Sequence, residues 1–183
     1  MRSIITVSLF ALLLINSFAS NHADIDRKPK PLQRELEKKG LQIDSAILIE
    51  GIGDNNPKGA YFQTTNLTDS LIYYIGRVNS CRANGCAAGN TTDQGEDYEF
   101  FDYYILFDTK GMVKTVKVFN YQATHGQEIT IKGWLKQFIG YLGEEELVVG
   151  KDIDAVAGAT ISVYAITTDV EYRTKCLNRW LNK

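Results

Sequence analysis

Phe101-Asp-Tyr-Tyr-Ile-Leu-Phe107, followed by Asp108-Thr-Lys-Gly111 and Met112-Val-Lys-Thr-Val-Lys-Val-Phe-Asn-Tyr121, is the stretch that decides the fold. Two runs rich in aromatic and β-branched residues flank a short turn ending in glycine, where positive φ is easiest. That pattern predicts an antiparallel hairpin. In the second run Val113, Thr115, Lys117 and Phe119 alternate with Val116 and Val118, so one face can be largely apolar. Tyr98, Phe100, Phe101, Tyr103 and Tyr104 are read as strand packing rather than a stacking box.

Working outward, Gln122 to Gln127 is a loop containing Thr124-His125-Gly126. Ile131 to Leu142 carries Trp134, Leu135, Phe138, Ile139 and Leu142 at three- and four-residue spacing, which predicts a short amphipathic helix. Val148 and Val149 are a strand candidate before Gly150. From about Ala159 the stripe Val163, Ile166, Val170, Leu177 and Leu181 predicts the longest helix, and Lys175, Arg179 and Lys183 suit its C-terminal end. Upstream, Leu32 to Lys39 reads as a helix stopped by Gly40, and Ile43 to Ile49 and Leu71 to Val78 read as strands. Gly51 to Pro57 is a turn cluster, and Asn79 to Glu96 a polar excursion. Antiparallel strands followed by helices give an α+β fold, an antiparallel sheet with packed helices.

The 183 residues suffice for one ordinary domain, and 44% hydrophobic with 23% charged residues is a globular balance. Lys+Arg 20 against Asp+Glu 22 gives net −2, without the positive field that nonspecific nucleic-acid binding requires. Two histidines, His22 and His125, argue against a multi-histidine metal site. No Ser-His-Asp, paired-carboxylate or nucleophilic-cysteine arrangement stands out as an independent catalytic centre.

Residues 1–19 read as a secretory signal. Arg2 opens it, Ile4 to Ile15 form an apolar run shorter than a bilayer span, and Ser17-Phe18-Ala19 offers small residues for cleavage after Ala19. Residues 20–31, with Pro29 and Pro31, are expected to be a linker to one domain over 32–183. Export to a periplasmic or other extracytoplasmic compartment suits Cys81-Arg-Ala-Asn-Gly-Cys86, a turn that can close into a bridge, with Cys176 left over.

Immediately before the last helix lies Asp154-Ala-Val-Ala-Gly-Ala-Thr-Ile-Ser162. This resembles the attachment motif of the FMN-binding domain family, found in periplasmic subunits of sodium-pumping quinone reductase and of Rnf-type complexes. The family pattern is Asp, two variable residues, Ser or Thr, Gly, Ala, Ser or Thr, one variable residue, then the flavin-bearing Thr. Asp154, Gly158, Ala159 and Thr160 match, Ala157 stands where Ser or Thr is usual, and Ser162 occupies the acceptor place. Tyr121-Gln-Ala-Thr-His-Gly126 is similar to the family's loop that approaches the flavin, with Thr124 and Gly126 matching and His125 where Pro is common. The likeness extends over roughly Tyr98 to Trp180.

The resemblance implies FMN joined through its phosphate to Ser162 by a flavin transferase, which uses FAD and releases AMP. Asp154 would serve transferase recognition, Gly158 and Ala159 would admit the cofactor, Thr160 would assist at the phosphate, and Thr124 and Gly126 would lie near the flavin. Elementary chemistry agrees, since a helix's opening amides favour phosphate and small residues permit close approach. The function expected is an electron carrier between a membrane or extracytoplasmic redox partner and its acceptor. Two other readings stay open: a flavin-free exported interaction domain of the same fold, and a thiol-disulfide protein centred on Cys81 and Cys86.

Overall fold

The computed structural model describes residues 24–53, 58–82 and 98–183. The expected signal segment and the Cys81–Cys86 bridge fall outside the described residues. Among these residues the elements run α1 (Lys30–Glu37), a 3-10 turn (Ile43–Ser45), β1 (Ile47–Ile49), β2 (Gly59–Thr65), β3 (Ser70–Arg82), β4 (Tyr98–Phe107), β5 (Val113–Tyr121), a 3-10 turn (Gln127–Thr130), α2 (Lys132–Leu135), a 3-10 turn (Lys136–Phe138) and α3 (Thr160–Leu181). The five strands form one antiparallel sheet in chain order, β1-β2-β3-β4-β5. The fold is α+β, as the strand and helix patterns imply.

Strand alternation gives the sheet two apolar faces, and helices cover both. Tyr74, Phe101, Tyr103, Ile105 and Phe107 face α3, which buries Val163, Ile166, Val170 and Leu177 completely. Each such side chain stabilises by about 1.5–3 kcal/mol relative to exposure. On the other face Tyr73, Ile75, Tyr104 and Leu106 pack with Leu32 and Leu36 of α1 and with Leu41. Helix α1 starts at Lys30, inside the stretch expected to be a linker, with proline in its first turn where the missing N–H costs nothing. Gly59 and Gly76, paired across β2 and β3, are bare because the Tyr74 phenol lies against both.

Several elements differ from the sequence reading. Ile43–Ile49 divides into a 3-10 turn and a three-residue strand, and β2 emerges from a stretch the reading left without an element. The helix expected over 131–142 is a single α-turn and a 3-10 turn that ends when Ile139 becomes extended, φ −67° and ψ 130°. Tertiary bonds compete for its continuation: the Gly140 N–H donates to the Val113 carbonyl at 2.9 Å, and the Val113 N–H donates to the Tyr141 carbonyl at 3.0 Å. Val149 makes only an isolated parallel bridge to Ile153 rather than a strand.

Irregular pairing in β5 positions the site. The register shifts between Leu106 and Phe107 and again between Asp102 and Tyr103, so β5 carries an extra residue at each place. The first bulge lets Val113 share a face with Val116 and Val118. The second moves Tyr121 onto the face of Phe101, whose ring it stacks at 5.7 Å, while Phe119 remains beside Tyr104 on the opposite face. Simple alternation would leave Tyr121 on the side away from α3.

Candidate functional site at the start of the last helix

The chain enters α3 through a loop fixed by α2 and the 3-10 turn that follows it. The Trp134 Nε1–H donates to the Asp154 carbonyl at 2.9 Å, and the Asp154 N–H donates to Gln137 Oε1 at 2.7 Å. These bonds give the Trp134/Phe138 segment a structural role. Phe138 fills the core and Trp134 holds the backbone of the motif, leaving the Asp154 side chain exposed. Gly158 then takes φ +80°, a conformation that strains a residue with a Cβ, although the space beside it is open. Ala159 is the buried N-cap. It supplies no side-chain cap, and no acidic residue occupies the first turn. The opening amides of a 22-residue helix are therefore left to suit an anion.

Two hydroxyls of that first turn face opposite ways. Thr160 is exposed, whereas Ser162 is only 2% exposed. Ser162 Oγ lies 2.8 Å from Ser80 Oγ on β3 and 3.1 Å from the Tyr121 hydroxyl on β5, and the latter donates to the His125 carbonyl at 2.5 Å. A carbonyl can only accept, so the direction of the chain is fixed: Ser80 donates to Ser162, Ser162 to Tyr121, and Tyr121 to His125. Both the proton and a lone pair of Ser162 are committed. Burial raises the Tyr121 phenol above its ordinary value, and the hydrogen bond from Ser162 works against that rise.

The two loop residues singled out by resemblance separate. Gly126 is buried against the motif at φ +90°, and a Cβ there would sit 2.7 Å from Ser162 Oγ and 2.9 Å from the Tyr121 hydroxyl. Glycine is required by conformation and by space. Thr124 is exposed and donates to the Glu99 carboxylate. The structure thus joins Gly126, Ser162 and the motif, and keeps Thr124 on the outer side of the loop.

Thr160 opens on a groove of roughly 720 Å³ between α3 and β3. Ile161, Tyr164, Ala165, Thr168 and Tyr172 line the helix side, and Arg77, Val78 and Asn79 the strand side. Asp169 and Arg173 also line it: the Arg173 Nε–H donates to Asp169 Oδ1 at 3.1 Å, while Asp169 Oδ2 accepts from Tyr103 at 2.6 Å. Burial, reinforced by the Asp169 charge, holds the Tyr103 phenol well above its usual range. Among the described residues no group of three or more His, Cys, Asp or Glu side chains is placed to hold a metal.

The sequence reading missed Ser80 and Tyr121 because β3 and a bulge bring them in from distant or wrongly phased positions. Tyr164 was within its reach, since it stands four residues after Thr160 and so on the same side of the helix.

Fold and site together define an α+β domain whose last helix begins with anion-suited amides, an exposed hydroxyl and an adjoining groove. Residues 98–174 match the family model described as the FMN-binding domain. The match opens on the first residue of β4 and closes inside α3, so it contains the hairpin, the 122–126 loop, α2 and the motif. No curated protein and no solved structure matches the chain.

Proposed function

We propose that this chain is an exported flavoprotein that carries electrons through FMN esterified to a hydroxyl at the start of α3. The observation that carries the reading is Thr160: an exposed hydroxyl at an uncapped helix N-terminus, beside a groove, within the FMN-binding segment. Spacing alone favours Ser162 as acceptor. Its burial and its committed hydroxyl make Thr160 the reachable oxygen, and attachment is assigned there. A flavin transferase would join them: a bond forms from Thr160 Oγ to the FMN phosphorus of FAD, the bond to the AMP phosphate breaks, and AMP leaves with the hydroxyl proton.

Bound FMN supplies the redox chemistry, accepting and releasing electrons, while the protein contributes attachment, orientation and tuning. The uncapped amides of α3 would offset the phosphate charge, and Gly158 and Ala159 keep bulk away from the ester. A covalent bond prevents loss of the cofactor outside the cytoplasm, which fits the signal-like residues 1–19. The partners fitting this role are a membrane or extracytoplasmic electron donor and acceptor, and no nucleic acid. Among the described residues no helix is long and apolar enough to cross a membrane.

Coexpression with a flavin transferase, followed by intact-mass measurement and peptide mapping, tests the reading. The expected result is a gain of FMN less water on the Thr160 peptide, retained in Ser162→Ala and absent in Thr160→Ala. An adduct retained in Thr160→Ala but lost in Ser162→Ala would move the attachment to the buried oxygen. No adduct on the unaltered chain would reject covalent carriage.

A further inference from the structure

We infer that the α3–β3 groove houses the isoalloxazine ring, with Tyr164 as its stacking partner. This rests on attachment at Thr160. The eight bonds from Thr160 Oγ to the ring nitrogen, each about 1.5 Å, span roughly 10 Å when extended. Along a helix rising 1.5 Å per residue, Tyr164 lies about 6 Å from Thr160, Thr168 about 12 Å and Tyr172 about 18 Å. A tethered ring therefore reaches Tyr164 and the edge of Thr168, and falls short of Tyr172.

The groove has the chemistry for such a ring on both walls. On the helix side Tyr164 is 54% exposed, a large aromatic that packs into neither core cluster, with Ile161 beside it at 39%. Exposed aromatic faces gain from covering by a second planar π system. Across the groove Val78 offers apolar surface, and Asn79 offers a carboxamide whose Oδ1 accepts from Lys58 Nζ at 3.2 Å. The opposite side of the motif is already filled: Tyr121, Ser80 and Gly126 close around Ser162.

The test uses the full chain carrying its FMN adduct, with intact mass reading attachment and steady-state flavin fluorescence reading ring placement. A tyrosine in van der Waals contact quenches flavin emission by electron transfer, so Tyr164→Leu should raise the yield several-fold at unchanged adduct mass. Tyr164→Trp should keep the emission quenched, and Tyr172→Leu should change it by less than half as much as Tyr164→Leu. Full adduct with unaltered emission in Tyr164→Leu overturns the ring placement alone. An equal or larger rise in Thr124→Val, which would put the ring at the β5 loop, overturns it too. Absence of the adduct from the unaltered chain overturns the attachment and the placement together.

Discussion

Two buried polar clusters lie back to back at one end of the sheet, and the same bulge in β5 builds both. On the α1 side Arg77 Nε–H and Nη2–H donate to the two oxygens of Asp102 at 2.7 and 3.0 Å, and Asn120 Nδ2 adds a bond at 2.8 Å. On the α3 side Ser80, Ser162 and Tyr121 form a neutral chain ending on a carbonyl. Asn120 and Tyr121 are adjacent, yet the bulge sends one to each cluster. The contrast separates two duties. The charged cluster on the α1 face locks strands together, whereas the hydroxyl chain under the motif seats the first turn of α3 and leaves Thr160 exposed.

The sharpest way to break that division is Thr160→Ala. It removes an exposed oxygen that the fold does not use, so adduct should vanish from the intact-mass spectrum while the melting temperature stays within about 1–2 °C, as expected for a surface change within ±0.5 kcal/mol. Asp102→Ala does the reverse. It strips a partner from a buried guanidinium and should cost about 3–5 kcal/mol in denaturant unfolding, while protein that remains folded still accepts FMN. Loss of the adduct without loss of stability in this variant would dissolve the proposed separation.

Smaller effects sharpen the α3 side. Gly126→Ala forces a Cβ against Ser162 Oγ at positive φ, and should cost about 1–3 kcal/mol with partial loss of adduct. Ser162→Ala leaves Ser80 and Tyr121 to each other and should cost about 1–2 kcal/mol, with the adduct retained. The smallest distinction concerns pH. Burial raises the Tyr103 phenol well above its ordinary 10.0 and the Tyr73 phenol to about 12. The native state therefore holds protons that the unfolded state releases above pH 10, so stability is intact below that value and falls as pH rises beyond it. A tyrosinate absorbance titration should show these phenols ionising together with unfolding rather than before it.

Alternation within Phe101–Tyr121 made the hairpin legible, and the spacing of Val163, Ile166, Val170 and Leu177 made α3 legible, because both signals are local and periodic. The α2 segment was over-read: its periodicity is real, but Val113 captures the backbone at 140–141 and ends the helix. The motif was legible as a run of residue types; Gly126 lies against Ser162, whereas Gly158 has open space beside it and is set apart by its positive φ. What the run could not disclose is which hydroxyl faces outward. Residues 160 and 162 stand two apart, about 200° around a helix of 3.6 residues per turn, and only the sheet beneath α3 determines which of the two is covered.

The sequence by itself thus determined an α+β domain, a long final helix, and a glycine-bearing entry turn resembling a flavin attachment site, since each follows from local periodicity or local conformation. Tertiary structure alone decided that β5 bulges twice, that Tyr121 and Ser80 close over Ser162, and that Thr160 and Tyr164 share a groove. The physical reason is register: inserting one residue into a strand with a two-residue period reverses the face of every side chain beyond it, and no local pattern records where that insertion falls.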